Sequence, residues 1–427
     1  MAALVAVLAA VPCAAAGQEP TAPAEPQAPD DTRPPLTTTI QPRRLDLTMS
    51  LFDAYDRTEA TIDIAPDPLI QQSASFTGVN AGLGFSQSGK GHSFSAGGGT
   101  GLRYYSTAPT LLPINYYGGL NFAASLGRRL QVRGSENASL SPFYTFGSTL
   151  GSNDLNQIIA PSLDQGVVRV DTRSSDSSAG LTWTLGRRAS LSAGYTFTYV
   201  EAGDTAYRVR TQGANGAYQY QKTRYLNLRL GYGYYRSELA SGTGYFSAHN
   251  IDTGIGYRRP LSFSRRSVVG FNVGSTMFTD GASRSFYVTG DASLSHQLSR
   301  RWSATLSYNR GVGKVGGQAS PYVTDSIGGG VAGVVTPHLS LSGSGGYARG
   351  NTASGSQNAY HSMYASGRVN YALTRFLPIY GEYVYYGYEF NLPIGLARGL
   401  PLLVSRNGLR TGLSYALPLI GRRPARQ

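Results

Sequence analysis

Residues 190–199 read Ser-Leu-Ser-Ala-Gly-Tyr-Thr-Phe-Thr-Tyr and alternate between two kinds of side chain. The apolar members, from Leu191 to Tyr199, would share one face of a β-strand, because successive strand residues point to opposite faces. The other face carries only Ser, Gly and Thr. Segments 285–298 and 302–309 divide in the same way. The pattern predicts long strands with one apolar and one polar face.

From about residue 45 onward the chain is a series of such segments, joined by connections that are alternately short and long. The segments are longer than the roughly 5 to 6 residues of strands in soluble sandwiches, and they suit the tilted strands that cross a bilayer. The sequence therefore predicts an all-β fold, a transmembrane antiparallel up-and-down β-barrel of about 18 strands, with 16 as the alternative. The short turns would be periplasmic and the longer loops external. Several turns are arginine-rich, such as Leu126-Gly127-Arg128-Arg129 and Leu185-Gly186-Arg187-Arg188.

The composition agrees with a barrel and argues against other classes. The chain has 427 residues, with Gly 54, Tyr 30 and only 14% charged residues. After the N-terminus it lacks a run of the roughly 20 apolar residues that a spanning helix needs, which excludes a helical membrane protein. A net charge of +13 would suit nucleic-acid binding. The arginines occupy turn positions instead of a clustered stripe, so we expect no nucleic-acid partner.

The chain divides into four parts. Residues 1–16 are apolar and end in three alanines, which predicts a signal peptide that would also remove the single cysteine, Cys13. Residues 17–43 are proline-rich and predict a disordered periplasmic segment, with a docking arm as the alternative. Residues 44–420 form the predicted barrel and residues 421–427 a basic tail.

Many tyrosines fall at predicted strand ends next to the long loops, which predicts an outer aromatic girdle. Trp183 and Trp302 lie beside arginine turns and predict the opposite girdle. Glu136 falls on the apolar face of the predicted fifth strand, 130–147, which predicts a bulge or a shifted register there. The tyrosines are Tyr104, Tyr105, Tyr116, Tyr117, Tyr199, Tyr234, Tyr235, Tyr287, Tyr308, Tyr322, Tyr347, Tyr360, Tyr385 and Tyr388.

The sequence offers little for catalysis. Its five histidines do not have metal-ligand spacing, so we expect no metal and no cofactor. The pairs His92-Ser93 and His361-Ser362 are adjacent in sequence and would point to opposite faces of a strand. An enzyme would need a histidine and a hydroxyl or acid from different strands. We expect no enzymatic activity.

The polar face supplies candidate pore-lining residues. Arginines dominate its charged positions, so an open lumen would favour anions. The alternative is that these arginines pair with loop carboxylates and plug the barrel. The candidates are Arg103, Arg133, Arg229, Asp291, Arg368 and Arg410.

The third predicted loop, roughly 148–175, is the longest connection and carries Asp154, Asp164 and Asp171. By its ordinal position it is similar to the inward-folded constriction loop of general porins. That resemblance implies an acidic loop facing an arginine-rich wall.

The whole region from about 45 to 418 resembles bacterial outer-membrane β-barrels of the porin type. Residues 410–417, Arg-Thr-Gly-Leu-Ser-Tyr-Ala-Leu, resemble the C-terminal insertion signal of that superfamily through Gly412, Tyr415 and Leu417. Residues 45–56, which end in Tyr-Asp, are similar to the first strand of a porin family found near exopolysaccharide-secretion genes.

The resemblance implies a location in the bacterial outer membrane. Implied partners are the barrel-assembly machinery, membrane lipid with lipopolysaccharide, and further copies in a homotrimer. The implied function is a porin-like channel for passive passage of small solutes, either anions or saccharides. Alternatives are an exopolysaccharide-export barrel and a closed barrel that acts in adhesion or assembly through its loops.

Overall fold

The structure is a computed structural model. It describes residues 43–61, 74–106, 113–142, 171–203, 207–239, 244–261, 264–280, 283–314, 321–352, 359–374, 376–390 and 403–420. The regular elements in these ranges are all β-strands. None of the described residues belongs to a helix long and apolar enough to cross a membrane.

The described part of the chain forms eighteen strands. They are β1 (Arg44–Thr61), β2 (Ala74–Gly89), β3 (His92–Tyr105), β4 (Ile114–Leu126), β5 (Leu130–Ser141), β6 (Thr172–Thr184), β7 (Ala189–Ala202), β8 (Tyr207–Gln221), β9 (Leu226–Leu239), β10 (Gly244–Leu261), β11 (Ser264–Asp280), β12 (Ser283–Ser299), β13 (Trp302–Lys314), β14 (Pro321–Thr336), β15 (Leu339–Thr352), β16 (Ala359–Thr374), β17 (Leu377–Phe390) and β18 (Leu403–Ile420).

The strands close into a single cylinder. Each strand pairs antiparallel with its neighbours in chain order, and β1 also pairs antiparallel with β18. Because the first strand pairs with the last, no strand of the sheet lacks a neighbour on either side. The predicted all-β barrel of eighteen strands is therefore confirmed, and the alternative of sixteen is wrong. We call the end with the short connections the turn end and the other the loop end.

The largest difference from the predicted boundaries is at β8, predicted over 213–222 and observed from Tyr207. Residues 207–212 read Tyr-Arg-Val-Arg-Thr-Gln, and their charged side chains gave no apolar face. These residues nevertheless form part of the strand, because they pair with β7, where Glu201 lies opposite Arg208. Cross-strand charge pairs therefore extend this hairpin beyond its apolar part.

The two faces of the wall differ in exposure. Large apolar side chains such as Leu230 (58% exposed) and Phe286 (64% exposed) mark the outward face. The residues between them in sequence point the other way, into the cylinder, and form the inward face. On β18, for example, Leu409 is 56% exposed and the next residue, Arg410, is 5% exposed.

The predicted tyrosine girdle is only half right. Neighbouring tyrosines such as Tyr104 and Tyr105 cannot share a face, because the side-chain period of a strand is two. Tyr104, Tyr116, Tyr199, Tyr234, Tyr308, Tyr347 and Tyr385 have the parity of the outward face. Tyr105, Tyr117, Tyr235, Tyr287, Tyr322, Tyr360 and Tyr388 have the parity of the inward face, and several are buried.

The predicted bulge at Glu136 is wrong. The register runs without a shift from β4 through β5 to β6, so Glu136 does face outward. Its carboxylate accepts a hydrogen bond from the Ser175 hydroxyl at 2.7 Å. A cross-strand hydroxyl therefore partners this carboxylate, and the backbone does not have to deform.

Irregularities occur elsewhere in the wall. The β10–β11 register shifts between His249 and Ile255. The β12–β13 ladder stops at the pair Gly290 and Arg310, although both strands continue toward the loop end. Beyond that point Val323 on β14 packs against Tyr235 and Tyr287, two tyrosines of the inward face.

Barrel closure depends on a glycine under aromatic rings. Gly412 on β18 lies between Phe52 of β1 and Tyr380 of β17 in the register. A Cβ atom at Gly412 would lie 2.7 Å from the Phe52 Cβ atom and 2.7 Å from the Leu51 carbonyl oxygen. Only glycine lets the three strands approach this closely.

We expect Gly412→Ala to lower the free energy of unfolding by about 1 to 3 kcal/mol, because the new methyl group must displace backbone. Gly381→Ala is the matched control, since nothing lies within 4 Å of a Cβ atom at Gly381 on the neighbouring strand. Urea titration of protein refolded into lipid vesicles measures the difference. Equal midpoints for the two variants would contradict the close-packing explanation.

Candidate functional site

The predicted pore-lining residues all have the parity of the inward face. Arg103 lies between the exposed Leu102 and Tyr104, and Arg410 follows the exposed Leu409. The same alternation places the other four residues inward. Their role in conduction stays a prediction. The four are Arg133, Arg229, Asp291 and Arg368.

The strand pairing brings part of this set into one row. Glu382 on β17 lies opposite Arg368 on β16 and opposite Arg410 on β18. Arg368 donates its Nε to the Asn370 Oδ1 at 2.8 Å, and its guanidinium lies 4.3 Å from the centre of the Tyr380 ring. The row therefore presents two cations and one carboxylate to the interior, with one cation held over an aromatic face.

A buried ion pair adjoins this row, and the sequence analysis missed it. The Arg406 guanidinium on β18 contacts the Asp56 carboxylate on β1, and both side chains are largely buried. The Asp56 carboxylate lies over Gly408, where a Cβ atom would be 2.3 Å from its Oδ1. Arg406 lies four residues before Arg410 on the same strand, so the same parity could have identified it.

Aromatic side chains fill the inward face near this ion pair. We call them the inner aromatic layer. Within it the Phe52 and Phe76 rings meet edge to face at 6.0 Å, and the Tyr105 ring lies 5.1 Å from Phe76. The Arg103 guanidinium lies 5.7 Å from the centre of the Phe76 ring. The layer comprises Phe52, Phe76, Tyr105, Tyr322, Tyr360, Tyr386 and Tyr388.

The other tyrosines of this layer come from the loop ends of β14, β16 and β17. Tyr322 and Tyr360 meet edge to face at 5.1 Å, and the Tyr360 hydroxyl lies 3.0 Å from the Thr324 hydroxyl. Tyr360 is fully buried, and Tyr386 is 2% exposed. The interior beside β14–β17 and β1–β3 is therefore packed near the loop end and is not open to water.

The opposite wall is less filled toward its turn end. Arg133 on β5 is exposed, and Arg229 on β9 lies opposite Gly254 on β10. Asp291 on β12 accepts two hydrogen bonds from the Asn272 amide nitrogen, at 3.1 and 3.0 Å. This wall thus offers polar and charged groups with room around them.

A recess of about 420 Å³ lies at the turn end of this wall. Asn227, Arg258, Asn272 and Asp291 line it together with Gly256. Arg258 was not among the predicted residues, because the tenth predicted strand ended at residue 257. Pairing with β11 continues to Leu261 and makes Arg258 part of the wall.

The other predicted sites are only partly covered. Asp154 and Asp164 lie outside the described residues, as do the predicted signal peptide, proline-rich segment and basic tail. Asp171 is exposed just before β6, and its carbonyl accepts a hydrogen bond from the Gly203 N–H at 3.0 Å. Gly412 points inward, and Tyr415 and Leu417 have outward parity. The constriction-loop and insertion roles of these residues stay predictions.

The structure brings one histidine and one serine together from different strands. The Ser267 hydroxyl on β11 lies 2.6 Å from the His296 Nδ1 on β12. The residue opposite His296 on its other neighbouring strand is Ala304, so that position supplies no carboxylate to complete a triad. Among the described residues there is no cluster of three metal-ligating side chains.

Comparisons with known proteins gave a likeness of fold only. No family model and no curated protein matches the sequence. The structure is similar to that of Pseudomonas aeruginosa OpdQ, with 11% identity, a TM-score of 0.44, and 88% of this chain and 98% of that chain covered. Pseudomonas aeruginosa OpdL shares 12% identity with a TM-score of 0.45, and the match covers 88% of this chain and 99% of that chain. Acinetobacter baumannii OccAB4 shares 10% identity with a TM-score of 0.43, and the match covers 89% of this chain and 99% of that chain.

We expect Asp56→Asn to lower the free energy of unfolding by about 3 to 5 kcal/mol, because it removes the carboxylate that compensates the buried Arg406 charge. Asp46→Asn is the control, since its partner Arg44 on the same strand is 65% exposed and the pair should contribute less than about 1 kcal/mol. Urea titration of the refolded barrel compares the variants. A small effect at Asp56 would show that water solvates Arg406.

Proposed function

We propose that this barrel is an outer-membrane channel that passes small solutes passively and prefers anions. A structure that spans a bilayer must pair its backbone groups internally, and a closed barrel does so. The outward face carries exposed apolar and aromatic side chains along the strands, as lipid contact requires. In this placement the turn end is periplasmic and the loop end external.

The observation that carries the proposal is the excess of arginine over carboxylate on the inward face. Such a wall produces a positive potential in the lumen and raises the local concentration of anions. Among the side chains that the structure describes, the arginines include Arg44, Arg103, Arg133, Arg229, Arg258, Arg368, Arg406 and Arg410, and the carboxylates include Asp46, Asp56, Asp176, Asp291 and Glu382.

The inward face also carries side chains that could bind a second class of solute. Inward rings such as Tyr117 and Tyr380 could stack on sugars, which keeps saccharides as the alternative to anions. Polysaccharide export rests on the resemblance of residues 45–56 alone, and no feature of the interior favours it over passage of small solutes.

A second candidate function is favoured by the inner aromatic layer. Buried side chains such as Tyr360 and Tyr386 occupy interior volume at the loop end. If they close the lumen, the barrel would act in adhesion or assembly through its external loops. The conductance of the refolded protein decides between the two.

We expect refolded protein in a planar bilayer to give stable unitary currents with a reversal potential that favours chloride over potassium. Replacing Arg133 and Arg229 by Glu should lower that preference by roughly twofold or more, because the inward field changes sign locally. These positions are preferable to Arg368, where a second carboxylate would face Glu382.

Arg187→Glu is the control for this experiment, because that residue lies in a turn outside the lumen. Currents whose selectivity is the same in all three proteins would contradict the assignment of Arg133 and Arg229 to the conduction path. Silence from correctly folded protein would contradict the channel and support the closed barrel.

We expect Tyr386→Ala to raise the unitary conductance, because it removes a ring from the inner aromatic layer. Tyr383→Ala is the control on the same strand, since Tyr383 faces outward and is 47% exposed. Single-channel recording at fixed salt measures both. Unchanged conductance for Tyr386→Ala would show that the layer does not limit the path.

A further inference from the structure

The outward face of β6–β9 carries a group of charges at its loop end. Arg173 on β6 lies opposite Glu201 on β7, which in turn lies opposite Arg208 on β8. One row nearer the turn end, Arg210 lies opposite Tyr199 and opposite Glu238. A third row adds Arg236 on β9 opposite Gln212. We call Arg173, Arg208, Arg210 and Arg236 the outer arginine patch.

Specific contacts hold the patch in place. Arg208 donates Nε and Nη2 to the Glu201 Oε1 at 3.2 and 2.7 Å, and the Tyr199 hydroxyl donates to the Glu201 Oε2 at 3.0 Å. The Arg210 guanidinium lies 5.3 Å from the centre of the Phe197 ring. The Arg236 Nη2 lies 3.1 Å from the Glu238 Oε1.

The charges in the patch do not cancel. Glu201 and Glu238 are its carboxylates, and they are engaged with Arg208 and Arg236. Glu136, nearer the turn end on the same face, is hydrogen-bonded to Ser175. Asp171, exposed two residues before Arg173, is a third carboxylate at the loop end. The four arginines outnumber Glu201, Glu238 and Asp171 at the level of the patch, so the patch attracts anions.

The patch begins where the apolar part of the wall ends. Tyr195 and Tyr234 are exposed on the outward face, and both lie closer to the turn end than the patch does. Tyrosine at this level of a barrel marks the boundary between hydrocarbon and headgroups. Under the proposed function, on which this inference rests, the patch therefore faces lipid headgroups of the outer leaflet.

We propose that the outer arginine patch binds the phosphate groups of a phosphorylated glycolipid in the surrounding leaflet. A planar guanidinium donates two parallel hydrogen bonds to a phosphate and is weakly hydrated, which suits binding at a membrane surface. The Phe197 ring fixes the orientation of the Arg210 guanidinium before a lipid arrives. A basic surface at this depth attracts anionic headgroups.

The chain offers a matched comparison at the loop end of β13–β17. There Arg310 and Arg349 both lie opposite Asp325, and the row continues through His361 to Glu389. Arg310 contacts Asp325 at 3.2 Å, and His361 contacts Glu389 at 3.2 Å. This row also has two arginines that face outward, but its two carboxylates balance them.

The test uses refolded protein incubated with a diphosphorylated glucosamine-disaccharide lipid, and native mass spectrometry counts the retained lipid. The double variant Arg173→Gln/Arg210→Gln should retain this lipid about fivefold or more weakly than the unchanged protein, because two attractive charges are lost. The double variant Arg310→Gln/Arg349→Gln removes the same charge from the balanced row and should retain it as the unchanged protein does.

Two further measurements test whether positive charge on the patch strengthens lipid retention and whether retention requires the phosphate groups. Glu201→Gln makes the patch more positive, so retention should stay equal or rise. The chemically dephosphorylated form of the same lipid should be held weakly and equally by all variants. Retention that ignores the phosphate, falls with Glu201→Gln, or falls equally for both double variants would overturn the proposal. Conductance recorded in parallel reports separately on the channel, since the patch lies outside the lumen.

Discussion

The pairing of β1 with β18 determines the architecture of this protein. Once the cylinder is closed, most backbone groups along the described strands find partners in neighbouring strands, and the β12–β13 ladder beyond Gly290 and Arg310 is an exception. Closure also fixes which side of every strand is inside. Gly412 permits it, because a larger residue would separate β18 from Phe52 and Tyr380.

From this constraint follows the division of charge between two surfaces. Parity sends Arg368, Glu382 and Arg410 into the interior as one cross-strand row, and it sends Arg208 and Glu201 outward. The same residue type therefore has two different surroundings. Under the proposed function, inward arginines shape the potential of the lumen, whereas outward arginines at the loop end lie at the level of headgroups. Neither set contributes to an apolar core, so the chain can carry many arginines without burying most of them in hydrocarbon.

The interior is asymmetric. Beside β14–β17 and β1–β3 it is filled by the inner aromatic layer and by the buried pair of Asp56 and Arg406. Beside β5–β12 it is polar and less filled toward the turn end, with Arg133 exposed and a recess around Arg258. At the loop end of the same side, Tyr235 and Tyr287 pack against Val323. The aromatic layer gives one side of the barrel the packing of a soluble core, which stiffens the wall there.

Period-two alternation along the chain predicted the fold class, a barrel of about eighteen strands, and the face of most strand residues, because this pattern is local and needs no distant contact. It therefore also placed Arg103 and Arg410 inward. The prediction was wrong for half of the girdle tyrosines, because it relied on their proximity to a loop and ignored which face of the strand they occupy. It was also wrong about a bulge at Glu136, because the hydrogen bond from Ser175 is not evident from the sequence. Which inward residues are buried and which face open space could not be predicted, because burial depends on contacts between side chains of distant strands. Val323 of β14, for example, packs against Tyr235 of β9, and no local pattern in the sequence records that contact.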